Sequence, residues 1–135
     1  METVSASLMV AQAKERVENL TSVEVEAAID GECLLVDIRE PEEREARGAI
    51  PGSILAPRGL LEFWADPTSP AYRAEFDRAR RVILYSTSGG RSALAADALQ
   101  RLGYRRVAHL DGGFKAWIDA GHQVERGTGP ETRTR

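Results

Sequence analysis

The sequence predicts an α/β domain built on a mostly parallel sheet, and three observations carry that expectation. Short, nearly continuous apolar runs at residues 34–38 and 82–85 read as strands covered on both faces. Charged or amphipathic helical patterns alternate with the strand candidates at the spacing of crossover units. The clearest such unit is a strand at 82–85, a Gly-rich loop at 86–91, a helix at 91–102 capped by Gly103, and a strand at 107–110.

Taken in order, residues 1–20 form an N-terminal helical extension, with Leu8, Ala11, Val17 and Leu20 spaced among polar residues. Thr21 followed by Glu24 is a capping-box pattern that opens a short helix at 23–29. The strand at 34–38 follows, then a charged helix at 40–47 with Pro41 in its first turn. Ile50-Pro51-Gly52-Ser53 marks a turn, 53–56 a short strand, 59–64 a helical turn and 66–70 a loop. Residues 71–80 read as a helix, and Asp111-Gly112-Gly113 turns the chain into a last helix at 114–120. The domain is placed at 21–124, and the polar residues 125–135, with Gly127, Gly129 and Pro130, as a flexible tail.

Composition bounds the rest. The 135 residues, 42% hydrophobic and 29% charged, suit one soluble domain with a real core. A formal net charge of -3 argues against a general nucleic-acid partner. No apolar run approaches the roughly 20 residues of a membrane span, and no basic region precedes an apolar core at the N-terminus. A cytoplasmic location without membrane contact is expected. The single cysteine, Cys33, excludes an internal disulfide and a Cys-rich metal site. Cys33 opens an apolar run and reads as a buried structural thiol; neither metal nor cofactor is expected.

In a parallel sheet, sites form at the C-terminal ends of strands. Two segments qualify: the loop after 82–85, and the stretch after 34–38 with Asp37, Arg39 and Glu40. The first is Ser86-Thr87-Ser88-Gly89-Gly90-Arg91-Ser92. A tight turn between a buried strand and a helix aims backbone N–H groups and the positive helix end at one point. Such a cradle stabilises an anion and lowers the pKa of a thiol at its first position. Here that position is a serine. Arg91, disfavoured at a helix N-terminus on charge grounds, reads as anion-facing. Two other motifs fail: a phosphate-binding P-loop would need glycine at Tyr85 and lysine at Arg91, and a serine-hydrolase elbow would also need glycine at Tyr85.

Four segments together resemble the rhodanese-like family of sulfurtransferases: 35–43, Gly48-Ala49-Ile50-Pro51-Gly52-Ser53, 85–92, and Asp111-Gly112-Gly113-Phe114-Lys115-Ala116-Trp117. They extend over nearly the whole domain in the family's order. The resemblance implies a five-stranded parallel sheet with helices on both faces. It also implies that a cysteine at position 86 would take the outer sulfur of thiosulfate or a persulfide donor, hold it as a persulfide, and pass it to a thiophilic acceptor such as cyanide or a protein thiol. The six-residue loop from Ser86 to Arg91 resembles the sulfur-transferring form; related phosphatases use a loop one residue longer. By the same resemblance Ser86 and Arg91 are the catalytic positions. Thr87, Ser88, Gly89, Gly90 and Ser92 form the anion loop, and Asp37, Arg39 and Arg58 support it. Ala49 stands where many relatives have histidine.

Ser86 is the departure that matters, because a serine hydroxyl stays protonated at neutral pH and cannot form a persulfide. Two readings follow: a cysteine-to-serine variant of a sulfurtransferase, inactive as written, or a naturally inactive module that binds an anion or a protein. Asp37 and Arg39 also fit a structural ion pair. Phe63 and Trp64 fit either a pocket wall or the core, and His109 and His122 show no partner signature.

Overall fold

The computed structural model describes residues 2–126. Its elements run α1 (Ala6–Arg16), β1 (Glu18–Leu20), α2 (Ser22–Ala28), β2 (Leu34–Asp37), α3 (Pro41–Arg47), β3 (Ile54–Leu55), α4 (Leu61–Ala65), β4 (Val82–Tyr85), α5 (Gly90–Arg101), β5 (Val107–Leu110) and α6 (Gly113–Asp119). The strands form one sheet in the order β1-β5-β4-β2-β3, and every pairing is parallel.

The apolar runs are continuous because both sheet faces are covered. Along β2, β4 and β5, Leu34, Val36, Val82, Leu84 and Val107 point to one face. There they meet Ala95, Ala96 and Leu99 of α5, Leu61 and Ala65 of α4, and Phe76. The alternate residues Leu35, Ile83, Tyr85, Ala108 and Leu110 meet Val25 of α2 and Phe114 and Trp117 of α6 on the other face. Local chemistry sets several helix starts. Thr21 and Glu24 form a reciprocal capping box on α2, and on α3, which Pro41 opens, the Glu43 carboxylate accepts the Glu40 N–H.

The topology decides where a site can form. From β2 the chain goes outward to the edge strand β3, then returns to β4 on the opposite side of β2. Asp37 at the end of β2 lies in register with Tyr85 at the end of β4. The segments after these two strands therefore leave the sheet side by side, at the point where the strand order reverses.

Three expectations are corrected. Residues 18–20, placed in the helical extension, are the edge strand β1 against β5, and only Leu20 of the three is buried. So short and half-exposed a strand carries no periodic signal of its own. The N-terminal segment also packs closely: Ala13 is fully buried, Arg16 pairs with Asp97 of α5 at 2.8 Å, and Lys14 pairs with Asp111 at 2.8 Å.

Residues 71–80 are successive turns rather than a helix, with Tyr72 N–H bonded to Ser69 O, Phe76 N–H to Arg73 O and Arg80 N–H to Asp77 O. Phe76 is the single fully buried anchor of the stretch, and the Arg73 guanidinium lies 3.5 Å from the centroid of the Trp64 ring. Those tertiary contacts override helix-favouring composition. Finally, Glu125, assigned to the tail, pairs with Ala49 in an antiparallel bridge through two bonds of 2.8 Å. Tail residues 127–135 lie outside the described residues.

Removing residues 2–20 is expected to strip Ala13, Val17 and Leu20 from the core and to bare the β5 edge. The loss should be about 3 kcal/mol or more of unfolding free energy. Urea denaturation of the truncated chain checks this; an unchanged midpoint would show the segment to be dispensable.

Candidate functional site

The loop 86–89 is held from below and behind. Gly89 adopts φ 100°, a left-handed geometry that lets the chain turn into α5, and the helix begins at Gly90. The start of α6 docks beneath: Phe114 N–H donates to Ser86 O at 2.8 Å and Lys115 N–H to Thr87 O at 3.0 Å. A Cβ on Gly113, itself at φ 67°, would overlap the Thr87 carbonyl. This contact gives the Asp111-Gly112-Gly113-Phe114 signature its physical meaning. The glycine allows the close approach that fixes the loop.

Within the loop, Ser86 is 1% exposed and its Oγ accepts the Ser92 N–H at 3.1 Å. Among the described residues, the backbone N–H groups of Ser88, Gly89, Gly90 and Arg91 donate to no protein acceptor. Ser86 Oγ thus already sits on one donor of a helix N-terminus, beside several donors left free. Ser88 is exposed at the loop tip.

Ser92 leads to His109, for which the sequence showed no partner. Ser92 Oγ lies 2.9 Å from His109 Nδ1 and 3.3 Å from Gly89 O. His109 Nε2 lies 2.7 Å from Asn19 Oδ1, while Asn19 Nδ2 donates to Lys14 O at 2.9 Å and to Val17 O at 3.1 Å. Because both Asn19 donors are spent on carbonyls, Oδ1 must accept, so His109 carries its proton on Nε2. Its Nδ1 must then accept the Ser92 hydroxyl proton. A buried chain runs from Ser86 through Ser92 and His109 to Asn19. Burial holds the imidazole neutral and lowers its pKa to about 4.

Asp37 and Arg39 form a buried ion pair instead of facing the loop. Arg39 Nε and Nη2 each donate to Asp37 at 2.9 Å, and Nη2 also donates to Gly48 O at 2.7 Å. The guanidinium lies 4.4 Å from the Phe114 ring centroid, and Arg44 adds a third donor group to Asp37 at 3.2 Å. Beside the pair, the Tyr85 hydroxyl accepts the Ile50 N–H at 3.1 Å and lies 2.9 Å from Ser53 Oγ. Burial, with the Asp37 charge adding to it, raises that phenol to about 12.

Arg91 meets a different partner from the one expected. Its Nη1 and Nη2 donate to the two Glu43 carboxylate oxygens at 2.8 Å and 2.9 Å, and the Thr87 hydroxyl donates to Glu43 at 3.0 Å. The cation expected to face an incoming anion is held by a carboxylate of α3. Arg91 foremost, against the opposing effect of burial, keeps the Glu43 carboxyl down at about 2. Arg58 is likewise engaged, with Glu62 one turn along at 2.7 Å. Phe63 is 59% exposed, whereas Trp117 is buried in the core.

Cys33 lies at the opposite end of the sheet, just before β2. There it lines a cavity of about 400 Å³ with Arg80, Arg81 and Arg106, and burial pushes its thiol up. The chain's thiol therefore lies at the opposite end of the sheet from the loop that Ser86 opens. Among the described residues no helix is long and apolar enough to cross a membrane.

The family model for the rhodanese-like domain matches residues 21–120. The chain belongs to that family. It is 39% identical over 90 residues to a sulfurtransferase of Allochromatium vinosum, covering 67% of this chain and 76% of that protein. It is 30% identical to a putative mitochondrial thiosulfate sulfurtransferase of Schizosaccharomyces pombe, covering 67% of this chain and 66% of that one. Among solved structures, a Rhodopseudomonas palustris protein of unknown function, described as a possible tyrosine phosphatase, superposes with TM-score 0.87 at 40% identity, over 93% of this chain and 97% of that one. A thiosulfate sulfurtransferase of Pseudomonas aeruginosa superposes with TM-score 0.73 at 28% identity, over 91% of this chain and 23% of the larger protein. The five-stranded parallel sheet with flanking helices is the architecture of this rhodanese-like domain, and its fold superposes on part of the Pseudomonas aeruginosa sulfurtransferase.

Two predictions follow from these contacts. Arg39→Ala leaves Asp37 buried with Arg44 as its one cationic partner among the described residues, and is expected to cost about 3–5 kcal/mol of stability. Glu62→Gln at the exposed Arg58 pair should cost under about 1 kcal/mol; urea midpoints of the two variants compare them directly. The second concerns pH. His109 has a pKa near 4 when folded and about 6.5 when unfolded, so the unfolded chain binds more protons between those values. The neutral imidazole's contribution, up to about 3 kcal/mol, is present above pH 6.5 and fades as the pH falls toward 4. His109→Asn, which cannot take up that proton, should flatten the fall in stability over this window; an unchanged slope would refute the assignment.

Proposed function

We propose that the domain is built for sulfane-sulfur transfer at position 86, and that Ser86 blocks the covalent step in this chain. One observation carries the reading: Ser86 Oγ receives the Ser92 N–H at 3.1 Å, at the floor of a turn where the N–H groups of Ser88, Gly89, Gly90 and Arg91 donate to no acceptor among the described residues. A sulfur in that place would have its thiolate stabilised by the same donor and by the helix end. The thiolate would attack the outer sulfur of thiosulfate; the S–S bond breaks and sulfite leaves with the electron pair. The resulting persulfide would yield its terminal sulfur to cyanide or to a protein thiol, regenerating the thiolate. Oxygen in place of sulfur is too weakly acidic to start the sequence. The reading keeps a cytoplasmic setting, where free thiols persist as acceptors.

The supporting residues divide by contact. Ser88, Gly89 and Gly90 offer backbone donors, Ser92 orients position 86, and Thr87 and Arg91 form the rim with Glu43. Asp37 and Arg39 support the site from within the core, and Arg58 lies further out. A second reading, an anion-binding module without turnover, is favoured by the same free N–H groups and needs no thiol.

Ser86→Cys separates these readings. The transferase reading expects thiocyanate from thiosulfate and cyanide, a persulfide detectable by mass, and a thiol titrating below 8.5, its usual value. An ordinary thiol that never takes up sulfur would leave the binding module. Hydrolysis of an aryl phosphate in place of sulfur transfer would point instead to the chemistry suggested for the Rhodopseudomonas palustris protein.

A further inference from the structure

The rim of the loop already holds an anion, and that anion is part of the chain. Glu43 uses both carboxylate oxygens on Arg91, at 2.8 and 2.9 Å, and one of them also accepts the Thr87 hydroxyl at 3.0 Å. Its position is set independently of the loop. As the third residue of α3, Glu43 Oε1 accepts the Glu40 N–H at 2.9 Å in the capping box. The bidentate geometry is the one guanidinium adopts with carboxylate or oxyanion alike, so an oxyanion seeking Arg91 must displace Glu43. Arg58, the next cation in the sequence expectation, is also paired, with Glu62. Approaching charge therefore meets backbone N–H groups, a neutralised guanidinium and a carboxylate at the rim. A doubly charged oxyanion meets like-charge repulsion there; a donor with at most one charge meets far less.

We propose that Glu43 is a specificity-determining residue: by occupying Arg91 and Thr87 it disfavours dianionic donors such as thiosulfate and leaves the loop to the persulfides of thiols. This rests on the sulfur-transfer reading of position 86. With a thiolate there, the step is attack on the terminal sulfur of the donor persulfide. The donor S–S bond breaks, a new S–S bond forms on the protein, and the donor thiolate departs with the electron pair. No oxidant or reductant is consumed.

Binding to the chain as it stands tests the role of Glu43 without any turnover. Thiosulfate titrated calorimetrically into Glu43→Gln, which keeps an oxygen for the capping box, should bind about tenfold or more tighter than to the unaltered protein. Glu43→Ala should show the same gain, and the gain should vanish when Arg91→Ala is added. Unchanged or weaker thiosulfate binding on removing the carboxylate, or no detectable binding in any form, overturns the proposal. In the Ser86→Cys background, Glu43→Gln should raise the kcat/KM ratio of thiosulfate to cysteine persulfide by about the same factor; an unmoved ratio overturns it. Inactivity of Ser86→Cys with both donors would sink the sulfur-transfer reading instead, and the titration would still decide what Glu43 does at the rim.

Discussion

The buried pair of Asp37 and Arg39 is the constraint on which the site's surroundings are built. Asp37 ends β2 with its side chain inside the protein, where an unpaired carboxylate is very costly. It is satisfied by the Arg39 backbone N–H at 3.0 Å, by the Arg39 guanidinium and by Arg44. Each partner brings more chain with it. Arg39 reaches the Gly48 carbonyl and lies against Phe114, and Arg44 holds Ser53 through its hydroxyl and its carbonyl. The segment from α3 to β3 is thereby folded back over the end of the sheet. Such a pair adds little net stability over an apolar replacement, but it penalises every arrangement that breaks it.

That penalty reaches the loop through α3. Arg44 anchors the helix from inside, and Glu43, one residue earlier, is presented to Arg91 and Thr87. The rim is thus positioned by a buried charge cluster below it. On the other side the loop is positioned by neutral chemistry: the glycine approach of α6, and the line of bonds through Ser92, His109 and Asn19. A neutral His109 is what that line requires, since protonation of Nδ1 would remove the acceptor of the Ser92 hydroxyl. Ser86 is therefore anchored from both sides of the loop.

Electrostatically the site is quieter than a loop at a helix N-terminus suggests. The free backbone donors favour negative charge, yet the nearest guanidinium is neutralised by a carboxylate of the same chain. Any pull on an anion at the loop would then rest on oriented N–H groups whose reach is short.

The sequence by itself determined whatever depends on neighbours along the chain. Nearly continuous apolar runs marked β2 and β4, and the crossover pattern marked β5; Thr21, Glu24 and Pro41 marked helix starts; and 85–92 exposed the strand, turn and helix that frame position 86. The turn itself was legible too, because a Gly-rich strand-to-helix connection is a local object and the serine at its head is plain. Tertiary structure decided what depends on partners distant in the chain. β1 exists because β5 offers it an edge, and residues 71–80 form turns because Phe76 and Arg73 bind elsewhere. Arg91 pairs with a residue 48 positions away and His109 with one 90 positions away. No periodicity announces such partners, since a side chain's preference for an opposite charge or a free lone pair is common to many residues. Only the folded sheet, by setting β2 beside β4 and β5 beside β1, selects which one it meets.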